Sequence, residues 1–316
     1  MLRPAPFLLL ALYGARSTSA KTYSLLPLGD SITFGCGDYC GGATEPNPTG
    51  CNGSYGVGKK CCAKEFGTPK PHPWTPCMGC SGGYRQPLFS RLDAEGPGAA
   101  DGDAWKFVGT VKQQGGVYRG DHHDGHPGWR IDQVQGDCWP PADKACQGGN
   151  SSFFRQWTAL KPDYIVLMIG TNDIGQLYNT TCDKTATPWK CEVAPIASRL
   201  EALLRATYAA LPHVHIFLSD LVGIGPRPCY GPDGDDSGWG LGETMVQAFN
   251  ARLPQITQRM IRAGHQMTHI PLANMTGLGQ GGKDLCPCDY HPTHAGYKVM
   301  AGAIFDSICK AHARAS

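Results

Sequence analysis

Charge is scarce in this chain, and neither sign dominates. Its 316 residues carry 28 lysines and arginines against 26 aspartates and glutamates, a formal net charge of +2. So even a balance supplies no long-range field for a polyanion, and no run of lysines and arginines marks a local one. Nucleic acid and anionic membrane surfaces are therefore not expected partners. Internal repeats are lacking as well. Past residue 20, no apolar run reaches the roughly 20 residues that a bilayer requires.

The first 20 residues, MLRPAPFLLLALYGARSTSA, combine Arg3, an apolar run from Phe7 to Tyr13 and the small residues Thr18-Ser19-Ala20. This is the pattern of a secretory signal peptide cut near Ala20, leaving 21–316 as a single mature domain. Fifteen cysteines on a secretory route point to disulfides first and metal second. Cys36, Cys40, Cys51, Cys61, Cys62, Cys77 and Cys80 crowd one segment. Residues 36–83 are rich in Gly and Pro and show no period, so they are expected to form a disulfide-tied insertion; a separate small domain is the competing reading. Cys138 with Cys146 and Cys182 with Cys191 are candidate local pairs. Zinc on Cys77 and Cys80 is the alternative to oxidation there. An odd total leaves at least one thiol outside any internal pair. Four sequons, at Asn52, Asn150, Asn179 and Asn274, agree with secretion.

Five short apolar runs predict buried strands: Tyr23–Leu28, Trp105–Gly109, Tyr164–Ile169, Val214–Ser219 and Gln266–Leu272. Helical spacing fills the intervals. It covers Gln86–Glu95 and Ser151–Leu160, a stripe through Ile196, Leu200, Leu203, Leu204, Thr207 and Leu211, and another through Val246, Phe249, Leu253, Ile256 and Met260. The last stripe runs through Met300, Ile304 and Ile308 in a helix that Pro292 can open. Strands alternating with helices predict an α/β fold with a five-stranded parallel sheet covered on both faces, a three-layer α/β/α sandwich. Ligands of such sheets sit at the carboxyl ends of the strands.

Chemistry-bearing residues fall at those ends. The first strand runs out in Gly29-Asp30-Ser31, the third in Gly170-Thr-Asn-Asp173. Between them lies Asp121-His-His-Asp-Gly-His-Pro-Gly-Trp-Arg130, and before the last helix Asp289-Tyr-His-Pro-Thr-His294. A nucleophilic serine needs a base in reach and donors for an oxyanion. Ser31 offers the hydroxyl, Asn172 an amide N–H, Gly128 an approachable backbone N–H, and His291 an imidazole, with His294 its rival. Plainer readings stand beside each: a turn for Gly170–Asp173, a solvated loop or metal site for the histidine cluster, a structural histidine for His291. Asp30 and Asp173 are read as supports that bond local backbone. Trp129 and Arg130 are candidates for a substrate rim; the plainer readings are a tryptophan covering a core edge and a solvated or salt-bridged arginine. The tryptophans Trp74, Trp139, Trp189 and Trp239 either stack on sugars or cover disulfides and core edges.

In order, GDSIT, HPGW, GTND and HPTHAGY resemble the four marker blocks of the SGNH (GDSL-type) hydrolases. GGYRQPLFSRL, WKFVGT, DHHDGHPGWRID and YIVLMIGTND extend the resemblance to carbohydrate esterase family 3. The resemblance implies a flavodoxin-like sandwich and removal of acetyl groups from polysaccharide, chiefly acetylated xylan. It also implies Ser31 as nucleophile, His291 as base, and Ser31 N–H, Gly128 N–H and the Asn172 side chain as oxyanion donors. No organic cofactor is implied and no catalytic metal; a structural cation near Asp233–Asp236 competes with a plain solvated loop. The partner implied is an acetylated polysaccharide or oligosaccharide, met outside the cell by a monomer. The chain departs from the pattern at Cys288, where the family has its aspartate. Asp289 is the candidate to orient His291 from a shifted register, the alternative being a backbone carbonyl and a Ser-His dyad. A longer-chain lipase or a non-catalytic carbohydrate-binding protein are the competing functions.

Overall fold

The structure, a computed structural model, describes residues 20–36, 82–112, 120–136, 151–175, 182–183, 190–223, 237–279, 281–285 and 290–315. The leader, nearly all of the Cys-rich insertion, Cys138, Cys146, three of the four sequons, Asp233–Asp236, Cys286–Asp289 and the tryptophans Trp74, Trp139 and Trp189 lie outside these residues.

The long apolar runs form the sheet. Strand β1 (Thr22–Gly29) pairs in parallel with β5 (Tyr164–Met168), β5 with β8 (His215–Ser219), and β8 with β9 (Met267–Ile270). Consecutive buried positions in β1, β5 and β8 mean that both faces of these strands are covered. The cover comes from α2 (Arg85–Glu95) packed on α8 (His294–Ala315), and from α5 (Ala194–Ala210) packed on α3 (Ile131–Gln135). Helix α4 (Ser151–Thr158) leans on α3, and α6 (Ser237–Asn250) on α5 and α7 (Leu253–Arg262). Every residue of the three helical stripes read from the sequence is buried. The second stripe is divided between α6 and α7, with Pro254 in the first turn of α7.

The sheet departs from the expected five strands, having seven among the described residues. The outer edge of β1 is shared. Its first half pairs with β2 (Ala104–Phe107), through Thr22↔Ala104 to Leu25↔Phe107. Its last two residues pair with β4 (His122–Gly125), through Leu28↔Asp124 and Gly29↔Gly125. A short antiparallel strand, β3 (Val111–Lys112), closes that edge against β4. Strand β4 reads HHDG and has no apolar period, yet three of its four residues are buried. Pairing on both sides, rather than hydrophobicity, makes it a strand. Helix α8 begins at His294, not Pro292: Pro292 bridges Leu285, and Thr293 caps the helix through Gly296 N–H to Thr293 Oγ1 at 3.2 Å.

The cysteines can be placed in part. Cys36 is disulfide-bonded. Cys182 in β6 (Cys182–Asp183) lies directly opposite Cys191 in β7 (Lys190–Cys191). Facing Cα atoms of an antiparallel pair are about 4.5–5.5 Å apart, within disulfide reach. Cys309, on α8, is free. Of the sequons, Asn274 is exposed at the end of a 3-10 turn, Leu272–Asn274. Among the described residues, no helix is long and apolar enough to cross a membrane.

Gly29 ends β1 where nothing larger fits. A Cβ there would lie 2.1 Å from the Met168 carbonyl oxygen and 2.4 Å from Thr33 Oγ1. Gly29→Ala is therefore expected to lower stability by about 2–3 kcal/mol or more, as overpacked sites do. A urea midpoint within error of wild type would show that the strand end can yield.

Candidate active site

Strands β1, β4 and β5 run parallel, so the segments that follow them emerge on one edge of the sheet. After β1 comes the single turn α1 (Ser31–Phe34), with Ser31 as its first residue. A helix of four residues cannot stand by itself. Its start is capped by Asp30, whose Oδ1 accepts the Ile32 N–H at 3.0 Å. Its end is held by Arg85, which is fully buried and donates from Nε to the Thr33 carbonyl and from Nη2 to the Phe34 carbonyl, both at 2.9 Å. Ser31 is 4% exposed.

The imidazole arrives from the other end of the chain. Thr293 donates its N–H (2.9 Å) and its hydroxyl (3.1 Å) to the Asp284 carbonyl. With the Leu285–Pro292 bridge, these bonds pin the arm that carries His291. Tyr297 adds a tie across 261 residues, its hydroxyl donating to the Cys36 carbonyl just past α1 at 2.5 Å. His291 is 7% exposed, and its Nε2 lies 2.8 Å from Ser31 Oγ. In the neutral ring protonated at Nδ1, the serine hydroxyl donates this bond. His294, the rival, is the half-buried first residue of α8. Asp289 lies outside the described residues.

The other two blocks meet each other. Pro127 and Gly128 are the central residues of a turn closed by Trp129 N–H to the His126 carbonyl at 3.1 Å. Gly128 has φ +82°, the conformation that the third residue of a type II turn requires, and the space where a Cβ would stand is open. Asn172 donates from Nδ2 to the Trp129 carbonyl at 3.0 Å, and Asp173 Oδ2 accepts the Ile131 N–H at 2.9 Å. Adjacent residues of GTND thus grip alternate residues of the turn. Trp129 is half-buried, stacked on His126 at 4.0 Å and edge-on to Phe153 at 4.9 Å. Arg130 does not lie open at a rim. It is 4% exposed and forked onto Asp132, Nε to Oδ1 at 3.1 Å and Nη2 to Oδ2 at 3.2 Å, because the chain turns it inward at the start of α3.

The histidine cluster disperses. His122 turns to Asp121 at 2.8 Å, whereas His123 Nδ1 accepts the Gly125 N–H at 3.0 Å. Burial holds His123 well below the usual imidazole range. His126 stands 3.5 Å from Asp124. Among the described residues, no three His, Cys, Asp or Glu side chains gather as metal ligands would.

Fold and geometry can now be set beside known proteins. A GDSL-like lipase/acylhydrolase family model matches residues 94–299, which hold the Gly128, Asn172 and His291 blocks. The chain belongs to that family. A curated relative, a multidomain esterase of Ruminococcus flavefaciens, is 22% identical over 298 residues. The alignment takes in 90% of this chain but 28% of that protein, so this chain spans about a quarter of its length. Two solved structures share the fold. One is a family 3 carbohydrate esterase of Clostridium thermocellum, at 20% identity and TM-score 0.52, covering 93% of this chain and 98% of that one. The other is a carbohydrate esterase family 3 protein of Talaromyces cellulolyticus, at 17% identity and TM-score 0.55, covering 93% and 100%. The family match starts beyond Ser31; the bond to His291 is what joins GDSIT to the matched region.

Two supports of the site carry buried carboxyls. Desolvation pushes Asp30 up to about 6, opposed by the Ile32 N–H and by the neighbouring His291. Desolvation likewise pushes Asp173 up to about 7, opposed first by the Ile131 N–H. An unfolded aspartate titrates near 3.9. From about pH 4 to pH 7 the folded protein therefore binds more protons than the unfolded chain, and these two groups make stability fall as pH rises. Asp173→Asn keeps an acceptor for Ile131 and removes one contribution. Its melting temperature should drop less than that of wild type between pH 5 and pH 8, by a few degrees. Equal drops in both proteins would show that Asp173 does not carry this linkage.

Proposed function

We propose that this protein is a secreted serine esterase that removes acetyl groups from plant cell-wall polysaccharide, acetylated xylan first among them. The reading rests on one observation, the 2.8 Å bond between Ser31 Oγ and His291 Nε2 at the carboxyl edge of the sheet. A hydroxyl so placed can lose its proton to the imidazole as Oγ attacks an acyl carbon. The oxyanion would then meet the Ser31 N–H in the first turn of α1, the Gly128 N–H and the second hydrogen of the Asn172 amide. First-turn N–H groups have no partner within their own helix, and one Asn172 hydrogen is already committed to Trp129.

Collapse of the tetrahedral species breaks the bond to the sugar oxygen, which takes the proton from His291 and leaves acetyl-Ser31. Water then attacks the acyl carbon, gives its proton to His291, and releases acetate as Ser31 is reprotonated. Asp289, two residues before His291 in the sequence, is the candidate to orient the ring. The half-buried face formed by Trp129 and His126 is the candidate wall for a sugar ring. Support for the substrate class comes from the carbohydrate esterases that share the fold. Support for secretion comes from the leader, the cysteine count and the sequons. A flavodoxin-like three-layer sandwich, tied at its Cys-rich insertion and acting as a monomer, completes the reading.

Ser31→Ala should fold and lose nearly all acetate release. Asn172→Ala should lose about 100- to 1,000-fold in turnover, as the removal of one oxyanion donor does elsewhere. Acetate release from acetylated xylan, and rates on p-nitrophenyl acetate, butyrate and octanoate, would be measured together. Turnover by Ser31→Ala close to wild type would end the serine mechanism, and a maximum at octanoate would end the acetylesterase assignment.

A further inference from the structure

One charged side chain is buried against the back of the turn that carries Ser31. Arg85 is fully buried, and two of its donors end on main-chain carbonyls of α1 itself. A buried guanidinium is expensive to desolvate, so its geometry must return something specific. Here it takes Thr33 and Phe34, two of the last carbonyls of a helix only four residues long. Gly35, at φ +102°, closes the same end by donating its N–H to the Ser31 and Ile32 carbonyls. The carbonyls of Ser31 and Ile32 are thus met by local backbone, and those of Thr33 and Phe34 by a side chain 52 and 51 residues away. Tyr84, the preceding residue and also fully buried, reaches Thr33 Oγ1 with its hydroxyl at 3.4 Å.

We propose that Arg85 is a positioning residue for catalysis, its guanidinium fork on the Thr33 and Phe34 carbonyls setting the placement of Ser31 toward His291. The proposal rests on the assignment of Ser31 as nucleophile. Asp30 fixes the start of α1, its Oδ1 accepting the Ile32 N–H and its carbonyl the Phe34 N–H. Without Arg85 the Thr33 and Phe34 carbonyls lose these donors, and the backbone bonds of Gly35 and Cys36 are left to hold the end of a turn too short to be stable by itself. Ser31 Oγ then leaves the line to His291 Nε2. Misplacement of a reacting group by about 1 Å can cost about 100-fold in rate. Arg suits the task better than Lys, because two acceptors on consecutive residues match a planar fork and not a single ammonium.

The test compares wild type, Arg85→Lys, Arg85→Ala and Ser31→Ala, each verified as folded by circular dichroism well below its melting temperature. Two rates would be measured: p-nitrophenyl acetate turnover, and covalent labelling by a fluorophosphonate, which reports the reactivity of the serine alone. Arg85→Ala is expected to lose 10- to 100-fold in kcat and a similar factor in labelling rate, with KM nearly unchanged. Arg85→Lys should fall between it and wild type, and added methylguanidinium should restore part of the Arg85→Ala rate. If Arg85→Ala does not fold, Arg85→Lys decides. Folded Arg85 variants that label at the wild-type rate would overturn the proposal, leaving Arg85 a stability element only. Wild type that labels no faster than Ser31→Ala would instead overturn the assignment of Ser31.

Discussion

A bond between two side chains 260 residues apart is only as good as the main chain on each side of it. The Ser31–His291 contact spans nearly the whole described fold, and neither partner sits on a long regular element. Ser31 opens a single turn, and His291 stands in a loop just before α8. Both are therefore fixed by borrowed contacts. Asp30 and Arg85 hold the two ends of the turn, whereas Asp284 and Leu285 hold the loop through Thr293 and Pro292. The hydroxyl of Tyr297 joins the two arms directly. The rigid sheet sets the distance between these anchors, and the anchors set the distance between Ser31 Oγ and His291 Nε2.

The same edge is unusually polar for a protein interior. Asp30, His123, Asp124 and Asp173 are all fully buried. Most of the cost is met by backbone: Ile32 N–H on Asp30, Gly125 N–H on His123, Thr110 N–H on Asp124, Ile131 N–H on Asp173. It is not met in full. The buried Asp30 Oδ2 has only the Thr171 side chain to meet it, at the margin of a hydrogen bond. Raised carboxyl pKa values are the same fact seen as proton affinity. An apolar edge would be more stable and could not present a hydroxyl, an imidazole and amide donors together.

The sequence revealed much of this where hydrophobic periodicity carries the information. β1, β5, β8 and β9, and the long helices α5 and α8, follow from their apolar stripes to within a few residues. Strand β4 was hidden because a ladder, not a stripe, buries His123 and Asp124. The split edge of β1 was hidden for the same reason, since which strand pairs with which residue is a tertiary choice. Arg85 gave one weak signal, a charge in the first turn of a helix whose other buried residues, Leu88, Phe89 and Leu92, are apolar. Its acceptors lie in a segment 51 residues upstream, so nothing local identifies them. Arg130 allowed two readings, a contact at the rim or a salt bridge, and it forms the salt bridge, with Asp132 two residues away.

The two middle blocks show how closely main-chain geometry can dictate a short polar motif. In GTND and HPGWRI, side chains of one block bond main-chain groups of the other: Asn172 to the Trp129 carbonyl, Asp173 to the Ile131 N–H. The Trp129 carbonyl needs a donor, which the Asn172 amide supplies and an ionised Asp cannot. An acceptor is needed next to it, because the first N–H groups of α3 have no partner inside the helix. The order Asn-Asp is thus fixed by the order of carbonyl and N–H in the facing turn. Gly128 is fixed by the sign of φ in that same turn. These demands are set by hydrogen-bonding groups common to every polypeptide backbone. They do not depend on which side chains fill the surrounding core.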